Sequence, residues 1–483
     1  MAGHGASRTG DGGSAASGQA RTIKFDTGLI ADWTSGSWTG LRPPAELGGF
    51  SFDARTLRPG ECFVALSAGA RDGHGFVAQA IEAGAVAALV ERAQDLAIPQ
   101  LVVDDSLRAL GRIGAAVRER FSGPVVGVTG SCGKTSTKEM LRLLLGATTT
   151  HATPGNWNNR IGVPMTLAGL SPEWHEQAVI EAGINEPGEM ALLGAMIQAD
   201  LVILTHIGAA HLEGLGSEAG IASEKAQLAV HARPDAPLIL PADCLRFEAF
   251  ALLKSRIIAL VGEGDTPPSG IRDFACFSVN TSDNGHSTIR IRDAEGLVAE
   301  FKVASVSPGI CRNAALAVLA ARLLRVPDGQ IRSRLAEWLP ALDRGTVEQR
   351  GDQFIYNDSY NANPASMADA LQTFAGTAPG SMPRLYVLGA MEELGPEGPR
   401  LHLEAGKRIA LRACDRVLLV GPEPLAEAYR EGILAAGGLA AQVASTEKTA
   451  DFHSEVAEFK GAVFLKGSRR YALESLLDPP SRS

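Results

Sequence analysis

The chain has 483 residues, a formal net charge of −9, and 45% hydrophobic against 20% charged residues. That length suits about three domains, and the composition is that of a folded globular protein, not of a disordered or collagen-like one. The acidic balance speaks against a nucleic-acid partner, no apolar run reaches the roughly 18 residues of a membrane span, and six cysteines spaced far apart with no C-x-x-C pair predict neither a disulfide framework nor a zinc site.

The first 20 residues are rich in Gly, Ser and Ala and lack an apolar core. They are expected to be a disordered tail, not a signal peptide, and the cysteines read as reduced thiols of a cytoplasmic protein. Residues 21–121 read as a small α/β domain. A short strand and helix are expected over Thr22–Asp32, and a turn at Pro59-Gly60 leads into a strand. The polar segment Arg71–Phe76 (RDGHGF) reads as a loop. A helix over Val77–Ala83, strands at Ala85–Val90 and Leu101–Val103, and a helix over Ser106–Phe121 follow. Within this domain Asp53 and Arg55 read as a surface pair and His74 as a loop histidine.

The central unit, 122–340, opens on Val125-Val126-Gly127-Val128, a β-branched run expected to be a buried parallel strand. A Gly-rich turn and a helix over Thr135–Leu145 come next. Strand, turn and helix joined at Gly133-Lys134-Thr135 form a cradle for a triphosphate. Main-chain N–H groups from Gly130 through Ser131, Cys132 and Gly133 to Lys134 are expected to point at phosphate oxygens, with Ser136 on the first helical turn. Lys134 adds charge and Thr135 offers a hydroxyl to Mg²⁺. The strict pattern G-x-x-x-x-G-K-[ST] is not met, because its first glycine falls on Val128.

Downstream, Asn156, Asn158 and Asn159 crowd a polar loop that bonds either a ligand or its own backbone. Ala178–Asn185 and Leu201–Thr205 read as strands whose ends carry Glu181, and His206 followed by His211. Ligands of open α/β sheets bind at such strand ends. Thr135 and Glu181 suit one Mg²⁺, and His211 suits a second if a carboxylate bridges the ions. The helix Glu218–Val230 offers Lys225 instead, which is either turned outward or chemically altered. Residues 235–305 read as connecting hairpins with little chemistry. In the helix from Ser307 to Leu324, Asn313 either caps the start or faces a ligand. From about 341 to 483, strands at Phe354–Asp358, Arg384–Gly389, Arg416–Val420 and Ala462–Leu465 alternate with helices opened by Pro364 and spanning His402–Ala413. They predict a second doubly wound, Rossmann-like sheet. Lys466 and Arg469 at a strand end suit an anion.

Six stretches carry a resemblance, in order along the chain: TGSCGKTSTKEM, GNWNNRIGVP, AHLEGLGS, NDSYNANPASM, LGAMEELG and KGSRRYALE. With FDARTLRPGECFVAL and RDGHGF before them, they resemble the Mur ligase family of peptidoglycan synthesis over about residues 50–475. The resemblance implies three α/β domains: an N-terminal UDP-substrate domain, a central P-loop ATPase domain and a C-terminal Rossmann-like ligase domain. It implies amide formation through an acyl phosphate, with ATP and two Mg²⁺ ions. DSYNANP with the ELG stretch is similar to the member that acts on UDP-MurNAc-tripeptide and D-Ala-D-Ala, as a cytoplasmic monomer. Matched position by position, Lys134, Glu181 and His211 are catalytic or metal-binding, and Lys225 is the carbamylated lysine. Asn313, Arg344 and Asp358 contact adenine, phosphate and ribose. Asp53, Arg55, Asp72 and His74 lie at the UDP end, and Asn156, Asn158 and Asn159 along the muramoyl-peptide path. Asn361, Asn363, Lys466 and Arg469 contact substrate in the last domain. The chain departs from the family pattern at Glu186, His206 and Gly309.

Overall fold

The computed structural model describes residues 23–68, 71–282 and 285–478. The tail expected over 1–20 lies outside them. The chain divides into two compact units, Met1–Ala109 and Leu110–Ser483.

The first unit holds a five-stranded sheet ordered Ser37–Thr39, Gln100–Val102, Ala87–Val90, Cys62–Val64 and Phe50–Ser51. All its pairings are parallel except the edge strand Ser37–Thr39. Phe63, Val77, Ala88 and Val90 fill the core under Val77–Glu82. The segment expected as a plain loop after Ala70 is more ordered. Arg71–Asp72 pairs as a strand and Gly73–Phe76 makes one tight helical turn, with Asp72 accepting from the His74 N–H at 3.0 Å.

In the second unit, strand Val125–Thr129 sits between Gln177–Glu181 and Leu201–Leu204 in a nine-stranded sheet. Strand side chains alternate between two faces. Val126 and Val128 pack under the helices Lys134–Leu145 and Pro308–Leu323, whereas Val125 packs under Glu189–Ile197 and Glu218–Val230. Burial on both faces is why this run is almost purely apolar. Gly127 lets the second layer close in: a Cβ there would lie 3.2 Å from Leu228.

Residues 235–305 correct the expectation of hairpins with little chemistry. Leu238–Pro241, Ile257–Gly262 and Asp273–Thr281 extend the parallel sheet, and Ser287–Asp293 and Val298–Val303 finish it antiparallel. Periodicity in short strands did not distinguish sheet members from local hairpins. A helix over Gly162–Ala168 also closes the Asn-rich segment that reads as loop throughout.

The last sheet is six-stranded, ordered Thr346–Arg350, Gln353–Asn357, Ala462–Lys466, Arg384–Gly389, Arg416–Val420 and Val443–Thr446. Only its first pairing is antiparallel. The helix expected over His402–Ala413 runs over Gly398–Gly406 instead. The division at 109/110 falls inside the helix Ser106–Arg120, twelve residues or so before the boundary expected at 121. Arg118 explains the difference. Its buried guanidinium donates to the Ile197, Phe121 and Gln198 carbonyls and pairs with Asp200 at 2.7 Å, so the end of that helix belongs to the central sheet.

Candidate active site

The turn after Val125–Thr129 is built on two glycines with positive φ, Gly130 (150°) and Gly133 (80°). A Cβ at Gly130 would fall 2.0 Å from Thr205 Oγ1, so only glycine fits. Neighbouring strand ends pin the turn. The Ser131 N–H donates to the His206 carbonyl at 2.8 Å, and Thr205 Oγ1 donates to the Cys132 carbonyl at 2.5 Å. The expectation that every N–H of the turn faces a ligand is therefore corrected at Ser131. The N–H groups of Cys132, Gly133, Lys134 and Thr135 make no hydrogen bond among the described residues. Four unpaired donors at a helix N-terminus form an anion site. Lys134 folds back, Nζ donating to the Gly130 carbonyl at 2.7 Å, and burial lowers its pKa.

Glu181 stands beside this turn, only 1% exposed. Its Oε1 accepts from Asn158 Nδ2 at 2.7 Å and from Thr135 Oγ1 at 3.2 Å. Its Oε2 has no hydrogen bond and lies 3.6 Å from the ammonium of Lys138, which itself donates to the Thr153 and Gly155 carbonyls. Asn158 and Lys138 thus hold the carboxylate and the Asn-rich loop together, a role for Lys138 that its place in the phosphate-loop helix did not announce. Asn159 bonds backbone instead, its Oδ1 accepting from Ile161 and Gly162. Asn156 lines the cleft.

Lys225 is not turned outward. It is 2% exposed and its Nζ has no hydrogen-bond partner. Burial, then the charge of Lys134, push its pKa well below the ordinary lysine range. Burial thus favours the uncharged form of an amine that has no partner, the form that reacts as a nucleophile. His211, at φ 58°, bonds through Nδ1 to the Glu393 carboxylate, a contact between the central and last sheets. The neighbouring histidine holds the Glu393 pKa down. Glu393 was legible only as part of the ELG motif.

The opposite wall comes from the last sheet, and the cleft between has a volume of about 860 Å³. Asn313 is not a cap; Ser307 caps that helix, and Asn313 is buried against Gly133, where a Cβ would meet its amide at 2.5 Å. The Arg344 guanidinium lies 3.8 Å over the Tyr360 ring. Lys466 is not a free anion binder. It is 1% exposed, and its Nζ donates to Asp358 Oδ2 at 2.5 Å and to the Asn361 carbonyl at 3.0 Å. Burial raises the Asp358 pKa despite that partner. Arg469 pairs outside the cleft with Glu474 at 2.6 Å. Asn363 caps the helix Pro364–Thr377 and donates to the Ser131 carbonyl at 3.1 Å, a structural use of a residue expected at substrate. Asn361 lines the cleft.

Of the three departures, Glu186 is exposed and His206 is half-buried with an unpartnered Nδ1 and a pKa lowered by burial to about 4. Gly309 makes room for Asp369, whose carboxylate accepts from the Gly309 N–H at 2.7 Å and from Ser307 Oγ at 2.6 Å.

In the first unit, Arg55 and Asp53 pair at 2.6 Å on the surface, and the guanidinium lowers the Asp53 pKa to about 2. His74 is a buried staple. Its Nδ1 bonds Asp72 at 2.6 Å and its Nε2 accepts from the Glu91 N–H at 3.0 Å.

Residues 128–321 match the Mur ligase middle domain, and residues 344–469 match the domain described as Mur ligase, glutamate ligase domain. The UDP-N-acetylmuramoyl-tripeptide–D-alanyl-D-alanine ligase of Escherichia coli is 35% identical over 386 residues, covering 79% of this chain and 83% of that protein. Among solved structures, MurF from Acinetobacter baumannii superposes with a TM-score of 0.81 at 29% identity, over 94% of this chain and 98% of its own. MurF from Thermotoga maritima in complex with ADP gives 0.73 at 26%, over 89% and 96%. A phosphate loop facing a second doubly wound sheet across one polar cleft is the plan of the Mur ligases, and the chain belongs to that family. Within it, the chain stands with the UDP-N-acetylmuramoyl-tripeptide–D-alanyl-D-alanine ligases.

Proposed function

We propose that the chain joins D-alanyl-D-alanine to the free carboxylate of UDP-N-acetylmuramoyl-tripeptide at the expense of ATP, giving an amide, ADP and phosphate. What carries this is one juxtaposition: the unpaired N–H groups of Cys132–Thr135 stand beside Glu181, with the orphaned Lys225 near enough to feel the charge of Lys134. The ADP bound by the Thermotoga relative supports nucleotide use.

A carboxylate is a poor acyl donor until one of its oxygens leaves as phosphate, so a γ-phosphoryl group first passes to it. The dipeptide amine then attacks the acyl carbon, and phosphate departs. In this cleft the free N–H groups hold phosphate oxygens in line, and Lys134 neutralises the charge that develops on them. Thr135 and Glu181 suit one Mg²⁺; His211 and carbamylated Lys225 suit a second. Mg²⁺ held by these residues would supply positive charge to offset the negative charge of the phosphates and of the departing phosphate. Asn313, Arg344 and Asp358 line the same cleft for the nucleoside and a phosphate. Asn156, Asn158, Asn159 and Asn361 stand along the tripeptide path. Residues 21–121, 122–340 and 341–483 are proposed as the UDP-substrate, ATP and dipeptide domains, with Asp53, Arg55, Asp72 and His74 at the UDP end. The proposed enzyme acts on small molecules as a cytoplasmic monomer; separately, no helix among the described residues is long and apolar enough to cross a membrane.

The test is phosphate release from Mg-ATP with UDP-MurNAc-tripeptide, with and without D-Ala-D-Ala. Release that needs both, with a pentapeptide product by mass, is expected. Release only with a different amino acid would move the chain to a sister ligase. Lys134→Ala should lower turnover by about a thousandfold; undiminished amide formation would remove Lys134 from the chemistry.

A further inference from the structure

Arg312 is a cation that the site described so far does not use. It lines the same cleft as Lys134 and Arg344. It stands next to Asn313, whose amide is packed against Gly133 of the phosphate loop. Its Nε is buried without a hydrogen-bond partner, and no carboxylate among the described residues pairs with it. The other cations of the cleft are engaged. Lys134 donates to the Gly130 carbonyl, Lys466 is paired with Asp358, and Arg344 lies on Tyr360. Asp369, the carboxylate of the neighbouring helix, is itself taken by Ser307 and Gly309. Burial pushes the Cys132 thiol up, and the largest charge opposing that is Arg312, ahead of Lys134, so the guanidinium stands close to the phosphate-loop turn.

A partly desolvated guanidinium with no partner is unfavourable unless an anion completes it. A guanidinium presents a planar fork that matches phosphate oxygens better than an ammonium does. We infer that Arg312 is a nucleotide-phosphate contact, reaching the bound nucleoside triphosphate from the helix Pro308–Leu323 while Lys134 and the loop N–H groups hold it from the end of the strand Val125–Thr129. The inference rests on the nucleotide reading above and adds a second side chain to the phosphates.

Calorimetric titration of the full chain with Mg-ADP, before and after Arg312→Gln and Arg312→Lys, tests it. Arg312→Gln should weaken ADP binding about tenfold and raise KM for ATP, with KM for D-Ala-D-Ala unchanged. Arg312→Lys should recover part of the loss, and the melting temperature of the ligand-free proteins should stay level. A second measurement needs no substitution: saturating ADP should protect Arg312, mapped by mass spectrometry, from phenylglyoxal, while the exposed Arg272 reacts as before. Unchanged ADP affinity in Arg312→Gln, or modification of Arg312 that ADP does not slow, would overturn the inference and leave the ligase reading standing. Failure of the unsubstituted chain to bind ADP would overturn both.

Discussion

Lys225 carries an amine with no hydrogen-bond partner, buried in a folded domain and depressed in pKa by that burial. Lys225→Ala should lower ligase activity by about a hundredfold or more, and acetate or propionate at high concentration should restore part of it by filling the place of the carbamate. A fully active Lys225→Ala would show that no carbamate is required. A second consequence concerns pH. Burial lowers His151 and His206 each to about 4, below the ordinary histidine value of 6.5. Between those values the unfolded chain binds protons that the folded chain refuses, so stability should fall as pH drops from about 6.5 toward 4, by on the order of 3 kcal/mol per group at most. Urea unfolding at pH 7 and pH 5 checks it. His151→Gln, able to keep the 2.8 Å bond to the Thr166 carbonyl, should flatten the slope. Lys134 and Thr135 were legible because a phosphate loop is a local pattern, and Glu181 because it ends an apolar strand run. Lys138 was not, and Glu393 only as part of its motif, since each acts on a partner far away in sequence.

Between elements, the contact to examine is the helix Pro364–Thr377 against the start of Pro308–Leu323. Asp369 gives both oxygens there, to Ser307 Oγ and the Gly309 N–H. A hydrogen bond to a charged group contributes about 1.5–3 kcal/mol. Asp369→Ala should therefore loosen the last sheet from the central one. We expect a larger radius of gyration by small-angle scattering and a several-fold higher KM for ATP, while Ser307 still caps its helix. Gly309→Ala separates this from plain helix stability. Alanine favours the helix by up to about 1 kcal/mol, yet its Cβ would meet Asp369 Cγ at 3.1 Å. A raised melting temperature with unchanged KM would mean that the contact does not matter for closure. The turn residues around Asn363 were expected to hold substrate. Of these, Asn363 serves as a helix cap and a bridge to Ser131, because Asn at a helix start satisfies backbone first, while Asn361 lines the cleft.

For the molecule as a whole, two compact units predict separable behaviour on heating. The cleft lies entirely in Leu110–Ser483. ADP at 100 times its dissociation constant adds about 2.7 kcal/mol to whatever binds it. Scanning calorimetry should show the transition of the larger unit rising by a few degrees with ADP while that of the smaller stays in place. A single transition that shifts as one would mean that the units unfold together. Strand, turn and helix around Val125–Leu145, the alternation of strands and helices after 341, and the types of residue at the nucleotide cradle are written in local spacing, because backbone hydrogen bonding and alternating burial act between near neighbours. Partnerships are not. That Ser131 has already used its N–H, that Lys466 is taken by Asp358, that His211 meets Glu393 and that Arg312 is left without an anion all depend on which strand ends and which sheets meet across the cleft. Spacing along the chain carries no record of those long-range contacts, and packing of the two sheets against one another settles them.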